Sequence, residues 1–121
     1  MVVKSIPMST SADIPHPLPP LVIEIVASRF RALGEPTRIR MLDLLRDGEM
    51  TVGELAEALD TTQQNVSKHI GILQRAGIIG RRRDGMRTPY TIIDETVLDL
   101  CAIVCGGVRR DAEGITQAFD A

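Results

Sequence analysis

The sequence has very few aromatic residues, which narrows the kinds of nucleic acid it could bind. Among its 121 residues there is no tryptophan, and Phe30, Tyr90 and Phe119 are the only aromatic side chains. Proteins that hold single-stranded nucleic acid stack successive bases on aromatic side chains. We therefore expect an aliphatic core, and single-stranded DNA or RNA is a poor candidate ligand.

Long apolar runs and a secretion signal are also lacking. No stretch approaches the roughly 20 apolar residues that a membrane span needs, and the opening MVVKSIPMST lacks a charged segment followed by an apolar one. We expect a cytoplasmic protein with no membrane partner. Its two cysteines, Cys101 and Cys105, should then be reduced thiols that are free for metal or redox chemistry.

Groups that could carry out catalysis are scarce. The two histidines are His16, in a proline-rich segment, and His69, in a segment with helical spacing. The sequence contains no glycine-rich phosphate loop and no recognisable pairing of a nucleophile with a base. We predict that the protein is not an enzyme.

Basic residues are concentrated in one segment, although the chain as a whole is slightly acidic. The formal net charge is −2, whereas residues 62–91 hold six basic residues and one acidic residue, so this segment carries +5 and the rest −7. Such an uneven distribution fits a protein that presents one face to nucleic-acid phosphates. The basic residues of the segment are Lys68, Arg75, Arg81, Arg82, Arg83 and Arg87.

Composition divides the chain into three parts. Five prolines among residues 1–20 disfavour helix and sheet and indicate a flexible arm. Apolar residues at helical or alternating spacing begin at Leu21 and indicate one domain over residues 21–110. Residues 111–121 are expected to form a frayed tail.

Within that domain the predicted order of elements is α-α-α-α-β-β-α, a mainly α chain with a small β-hairpin. Pro36 suits the first position of a second helix, Thr51 and Glu54 form a capping box for a third, and Asp84-Gly85 suits a hairpin turn. In the second helix, Ile39, Leu42 and Leu45 are predicted to form the buried stripe. The predicted ranges are 21–33, a helix from residue 35, a helix from residue 51, 63–76, the hairpin 78–93 and 95–108.

The fourth helix has the division of faces that a base-reading helix needs. Apolar residues share one side, and the opposite side carries polar side chains near the N-terminus, where amides can pair with base edges. His69 lies on the flank of the apolar side, which predicts either a packed, hydrogen-bonded ring or a phosphate contact. Gly71 either lets the backbone approach DNA or is a tolerated neutral residue. The residues predicted to bind DNA from this helix and its start are Thr62, Gln63, Gln64, Asn65, Ser67, Lys68 and His69.

The hairpin carries a second set of candidate DNA contacts. Arg82, Arg83 and Arg87 flank its tip, where guanidinium groups can meet phosphates or enter the minor groove. Tyr90 is predicted to pack against the domain instead. The hairpin thus has the composition of a wing beside a recognition helix.

Over residues 30–93 the sequence resembles the ArsR/SmtB family of repressors. Residues 32–38, ALGEPTR, match the ALGDPTR-like opening of the family, and residues 51–59 look like its third helix. Residues 63–70, QQNVSKHI, resemble its recognition pattern Q-x-x-V-S-x-H-L, and residues 82–90 look like its wing. The resemblance implies a winged helix-turn-helix repressor that forms a homodimer through its first and last helices and binds double-stranded DNA at a palindromic operator.

Family members often release DNA when a metal, metalloid or oxidant acts on them, and two known site types do not fit this chain. Residues 51–53, TVG, stand where the thiolate motif C-V-C would be. Asp94 matches a ligand of the zinc site of the last helix, but Thr96, Gly107 and Arg110 stand where the other ligands are expected.

Cys101 and Cys105 remain as a candidate effector site. Their spacing places both thiols on one face of a helix, about 6 Å apart. Zinc prefers four ligands and trivalent arsenic three thiolates, so such an ion must borrow ligands from a second chain or accept other donors, whereas an organoarsenical needs only two thiols. Oxidation of the pair is another option, and so is a structural role in the core. The candidate effectors are therefore trivalent arsenic, another thiophilic ion or an oxidant.

Two alternatives to a thiol-regulated repressor stay open. One is a winged-helix repressor with no inducer at its cysteines. The other is a winged-helix protein-interaction module, whose fourth helix would carry apolar or acidic residues on its outer side. The polar and basic outer side of residues 63–76 favours DNA.

Overall fold

The computed structural model describes residues 13–120, which form five helices and one two-stranded antiparallel sheet. The predicted order of elements, α-α-α-α-β-β-α, is confirmed. Residues 1–12, most of the predicted arm over 1–20, lie outside the described residues. The elements are α1 (Pro20–Leu33), α2 (Pro36–Leu45), α3 (Val52–Leu59), α4 (Gln63–Arg75), β1 (Ile79–Arg81), β2 (Tyr90–Ile92) and α5 (Thr96–Asp120).

Local side-chain caps fix where the short helices begin. The Glu35 carboxylate accepts the backbone N–H groups of Thr37 and Arg38, and so caps α2 beside Pro36. Thr51 and Glu54 form the predicted capping box of α3, in which Thr51 Oγ1 accepts from Glu54 N at 3.1 Å and Glu54 Oε1 from Thr51 N at 2.9 Å. These bonds occupy amide donors that a helix start leaves without partners.

One aliphatic core lies beneath α2, α3, α4 and the hairpin. Each of these elements, and the turn that follows α4, contributes at least one side chain that is almost completely buried. A close-packed interior of this kind fixes the orientation of α4 relative to α3. The fully buried members include Met41, Leu55, Val66, Leu73 and Ile78.

The α2 stripe differs from its prediction at one position. Leu42 and Leu45 are buried as expected, but Ile39 is 48% exposed, and Met41 takes its place in the core. Ile39 lies in the first turn of the helix, where no other element of the described chain covers it.

The hairpin is short and tied to the domain at its base. Ile79 pairs with Ile92, and Met50 and Tyr90 exchange backbone hydrogen bonds of 3.1 and 2.8 Å, which joins the segment before α3 to β2. Tyr90 is 9% exposed, which confirms that it packs against the domain. At the tip, Asp84 and Arg87 exchange backbone bonds of 3.2 and 3.0 Å around Gly85, whose φ is +62°.

The last helix is longer than the sequence predicted. The structure continues α5 to Asp120, through all the described residues of the segment 111–121 that was expected to fray. Gly114 does not end it, and apolar residues continue at helical spacing with Ile115 and Phe119. None of the helices formed by residues 13–120 combines the length and apolar character that a membrane crossing requires.

Candidate DNA-binding surface

Helix α4 is held by its inner side and by a cap at its start. Val66, Ile70 and Leu73 are at most 3% exposed and anchor the helix in the core. Thr62 caps the N-terminus, because its Oγ1 accepts from Asn65 N at 3.0 Å. The cap and the core contacts leave the opposite side of the first two turns in solvent.

Four polar side chains form that solvent side, which we call the outward face: Gln63, Gln64, Ser67 and Lys68, all exposed. The face bears no apolar and no acidic side chain. Amides offer both donors and acceptors to base edges, and an ammonium group can meet a phosphate or a guanine. A convex polar helix face of this type can enter a major groove.

Two other residues that were predicted to bind DNA use their side chains in hydrogen bonds within the turn before α4. The Thr62 hydroxyl accepts the cap bond, and Asn65 Nδ2 donates to Thr61 Oγ1 at 3.2 Å. Asn65 is half-buried, whereas Thr62 is exposed. Both therefore border the outward face, and their first role is to set the start of α4.

His69 does not reach the outward face, so its prediction as a DNA-binding residue needs correction. It is 5% exposed and lies on the inner side of α4, where its Nδ1 is 3.0 Å from Arg38 Nη1. Of the two options that the sequence left open, the packed, hydrogen-bonded histidine is the one present. Burial is the main cause that lowers the pKa of His69. The negative charge of Glu35 opposes it in part, and the positive charges of Arg38 and Lys68 lower the pKa further.

Two of the predicted wing arginines form ion pairs that brace the hairpin. Arg82 Nε donates to Glu49 Oε2 at 2.9 Å, and Arg87 Nη2 donates to Glu54 Oε1 at 3.0 Å. The Arg82 hydrogen bond lowers the pKa of Glu49. The hydrogen bond from the Thr51 backbone N–H is the largest cause that lowers the pKa of Glu54, and the positive charge of Arg87 lowers it further.

Arg83 differs from Arg82 and Arg87, the other two predicted wing residues. It is exposed, and it pairs with no carboxylate among residues 13–120. Its guanidinium group, like that of Arg81 in β1, is therefore available to an external phosphate.

The cysteines have unequal environments on α5. Cys101 is half-buried against the core, whereas Cys105, one turn later, is exposed. Burial raises the pKa of Cys101, and the nearby Cys105 raises it further, while Arg46 offsets part of the effect. Core packing therefore explains Cys101 and does not explain Cys105.

The described residues offer no ready metal site within one chain. Among residues 13–120, no three His, Cys, Asp or Glu side chains cluster closely enough to hold an ion. Asp94, which matched a zinc ligand, instead forms an ion pair with Arg29 at 2.6 Å and accepts from Thr96 N at 3.1 Å.

Helices α1 and α5 leave large apolar side chains in solvent. So many exposed apolar side chains on two helices are unusual for a monomer and mark an interaction surface. We call the two sets the apolar faces of α1 and α5. They comprise Leu21, Val22, Ile23, Ile25, Val26 and Phe30 on α1, and Ile103, Val104, Val108, Ile115 and Phe119 on α5.

Comparison with known proteins agrees with this geometry. A family model described as a helix-turn-helix domain matches residues 33–82. The HTH-type transcriptional repressor SmtB of Mycobacterium tuberculosis is 35% identical over 99 residues, which are 82% of this chain and 71% of that repressor. The chain belongs to the ArsR/SmtB family.

Two further similarities bear on this ArsR/SmtB protein. A homodimeric winged helix-turn-helix DNA-binding domain from Mycobacterium bovis, described as a possible ArsR-family regulator, superposes with a TM-score of 0.72 at 31% identity, over 78% of this chain and 87% of that one. A probable mercury resistance operon repressor of Streptomyces lividans is 36% identical over 92 residues, 74% of this chain and 69% of that protein.

In ArsR/SmtB terms, α3 and α4 form the helix-turn-helix and the β1–β2 hairpin is the wing. The family consists of DNA-binding transcriptional regulators and not of enzymes. Sequence reasoning missed Arg38 and Glu49, which position α4 and the wing, and it missed the ion pair of Glu54 with Arg87. Residues 32–38 carried Arg38 in a recognisable motif, but nothing in that motif indicated its contact with His69, 31 positions away.

Proposed function

We propose that this protein is a homodimeric repressor that binds a palindromic duplex operator through the outward face of α4 and the wing, and is released by thiol chemistry at Cys101 and Cys105. The observation that carries the DNA-binding part is the outward face itself. Its four exposed polar side chains stand on a helix whose other side is locked in the core. A helix fixed in this way can present amides to base edges without reorganisation.

The apolar faces of α1 and α5 support the homodimer. An isologous contact between two copies would cover these side chains, and the similar Mycobacterium bovis domain is described as homodimeric. Two α4 helices held by such a contact would read half-sites about 34 Å apart, one turn of DNA.

A mobility-shift titration of the full chain, at two salt concentrations, tests the DNA-binding part. Duplexes from the promoter region of the protein's own gene are compared with random duplexes of equal length. We expect tighter binding to one promoter duplex and a weaker, salt-dependent affinity for the others. If the protein binds none of the duplexes, the proposed repressor function is wrong.

Two thiols one turn apart support a thiophilic effector. Binding of a soft ion would release a proton from each thiol and form two sulfur–metal bonds, with any further ligand supplied by the second chain or by solvent. The similarity to a probable mercury resistance repressor supports the same class of effector. Because α5 carries one of the proposed dimer faces, a ligand at Cys101 and Cys105 could shift one protomer against the other and alter the spacing of the α4 helices.

Release assays with single-cysteine variants test the effector. Fluorescence anisotropy follows a labelled operator duplex as arsenite, phenylarsine oxide, mercuric ion or hydrogen peroxide is added. We expect Cys101→Ser and Cys105→Ser to bind the duplex as the wild type does and to resist release, whereas Ala102→Ser, an exposed neighbour, behaves as the wild type. Normal release in both cysteine variants would show that neither thiol is needed for the response to the effector.

A further inference from the structure

A polar cleft opens beside α4, on the flank between its outward face and its buried side. It has a volume of about 220 Å³ and lies between the second half of α1, the start of α2 and the end of α4. This space is large enough for a phosphate group. Its lining includes Ser28 and Arg31 from α1, Arg38 from α2, and Ile72, Arg75 and Ala76 at the end of α4.

The charge of the cleft is of one sign. Three of its lining residues are arginines, and none is acidic. Arg31 and Arg75 are exposed and form no ion pair within residues 13–120. Two unneutralised guanidinium groups facing one space attract an anion, and their planar forks fit phosphate oxygens.

Arg38 adds donors that are already held in place. Three of its five N–H groups are used, by the carbonyls of Ala32 and Arg31 and by His69 Nδ1, at 2.6, 3.2 and 3.0 Å. The guanidinium plane is thus fixed, and two N–H groups remain for a ligand.

Gly71 makes room for Arg75 on the surface of α4. A Cβ atom at position 71 would lie 3.1 Å from Arg75 Nη1, so the guanidinium group rests over the glycine. Arg75 is on the same side of the helix as Gln64 and Lys68, since these positions project within about 40° of one another at 100° per residue. The cleft therefore adjoins the outward face.

We propose that the α1–α4 cleft binds a phosphate group, held between Arg31 and Arg75 and oriented by Arg38. The DNA backbone at the edge of the major groove is the first source of this phosphate, and that source depends on the proposed DNA-binding function. A free phosphate ion is the second source, with the same chemistry.

The test compares Arg31→Gln, Arg75→Gln and the double variant in the full-length protein. Arg40→Gln, an exposed arginine on the side of α2 opposite to Arg38, controls for the lost charge. The affinity for promoter and random duplexes is measured at several salt concentrations. If one phosphate is shared, each variant lowers the salt slope by about 1 and the affinity about tenfold at 0.1 M salt, equally on both duplexes.

The double variant distinguishes a shared phosphate from two separate contacts. We expect its slope to fall by about 1, because one phosphate is lost, and not by about 2. Variants that match Arg40→Gln in slope and affinity would exclude the DNA backbone as the source of the phosphate, and a double variant that loses two contacts would overturn the shared site. Failure of the wild type to bind any duplex would instead contradict the proposed function.

Calorimetry with sodium phosphate in the absence of DNA tests the second source. Binding to the wild type that is lost in Arg31→Gln and Arg75→Gln, with unchanged DNA slopes, would support a site for the free ion. No heat of binding together with unchanged DNA slopes would overturn the proposal for both sources.

Discussion

Arg38 donates a hydrogen bond to Nδ1 of His69 across 3.0 Å, and this bond joins the start of α2 to the inner side of α4. A guanidinium group has no acceptor, so Nδ1 must be unprotonated and a neutral ring carries its proton on Nε2. The recognition helix is thus held by a contact that requires a neutral histidine.

This contact predicts that stability falls as the pH falls from 7.5 to 5.5. The pKa of His69 is lowered from 6.5 in the folded protein, so near pH 6.5 the unfolded chain takes up a proton that the folded chain does not. The contribution of neutral His69 to the free energy of unfolding is therefore present above pH 6.5 and is lost as the pH drops toward the folded pKa. The loss from this one group is at most about 1.4 kcal/mol per pH unit. Thermal melts at several pH values measure the loss.

His69→Gln is the variant that isolates this effect. Its amide oxygen can accept from Arg38 and does not titrate, while His16 is present in both proteins. We expect a flatter stability profile between pH 7.5 and 5.5 than in the wild type. Parallel profiles would show that another group causes the decline.

Mutations should distinguish residues that contact base edges from residues that contact the DNA backbone. Gln63→Ala or Ser67→Ala removes a group of the outward face and should weaken binding to the promoter duplex by about 1–3 kcal/mol, with little change on random DNA. Competition titrations with both duplexes measure the difference. Equal losses on both duplexes would contradict the assignment of these residues to base edges.

Arg83→Ala should instead weaken binding to every duplex to a similar extent. Its guanidinium group is exposed and unpaired within residues 13–120, so we expect the salt slope to fall by about 1. Thermal melting should stay unchanged, because no contact within the domain is lost. A loss confined to the promoter duplex would place Arg83 at a base edge rather than at a phosphate.

The local features of this fold could be predicted from the sequence, and its long-range contacts could not. The Thr51–Glu54 capping box is written in residues three positions apart, so it was predicted and is present. The ion pairs of Glu49 with Arg82 and of Glu54 with Arg87 each join residues 33 positions apart. They exist because the wing folds back on the start of α3, and no periodic pattern encodes that approach.

Exposure was hardest to predict where a helix lies at the edge of the domain. Ile39 has the spacing of a core residue and is 48% exposed, because it lies on a side of α2 that no neighbouring element covers. The same limit applies to α5, where apolar spacing continues past Gly114 although little of the described chain packs there.

The apolar faces predict a dimer that one charge can disrupt. Ile103 on α5 is 53% exposed, and Ile103→Glu would bury a carboxylate if a second copy covers that face, which is strongly unfavourable without a partner. We expect sedimentation to show monomers for this variant, with loss of promoter binding. Ile39→Glu, at 48% exposure on α2, is the matched control and should stay dimeric. Equal behaviour of the two variants would move the interface away from α5.

Gly71→Ala should make the protein more stable and a weaker DNA binder at the same time. Alanine favours the helix by up to about 1 kcal/mol over glycine, but its Cβ would lie 3.1 Å from Arg75 Nη1 and displace that guanidinium group. Gly114→Ala in α5, where a Cβ has open space, should give a similar gain in stability with unchanged binding. If the loss of affinity is no larger than that of Arg75→Gln, the role of Gly71 is to make room for the Arg75 side chain. A much larger loss would mean that the α4 backbone itself approaches DNA at this position, and unchanged affinity would contradict both explanations.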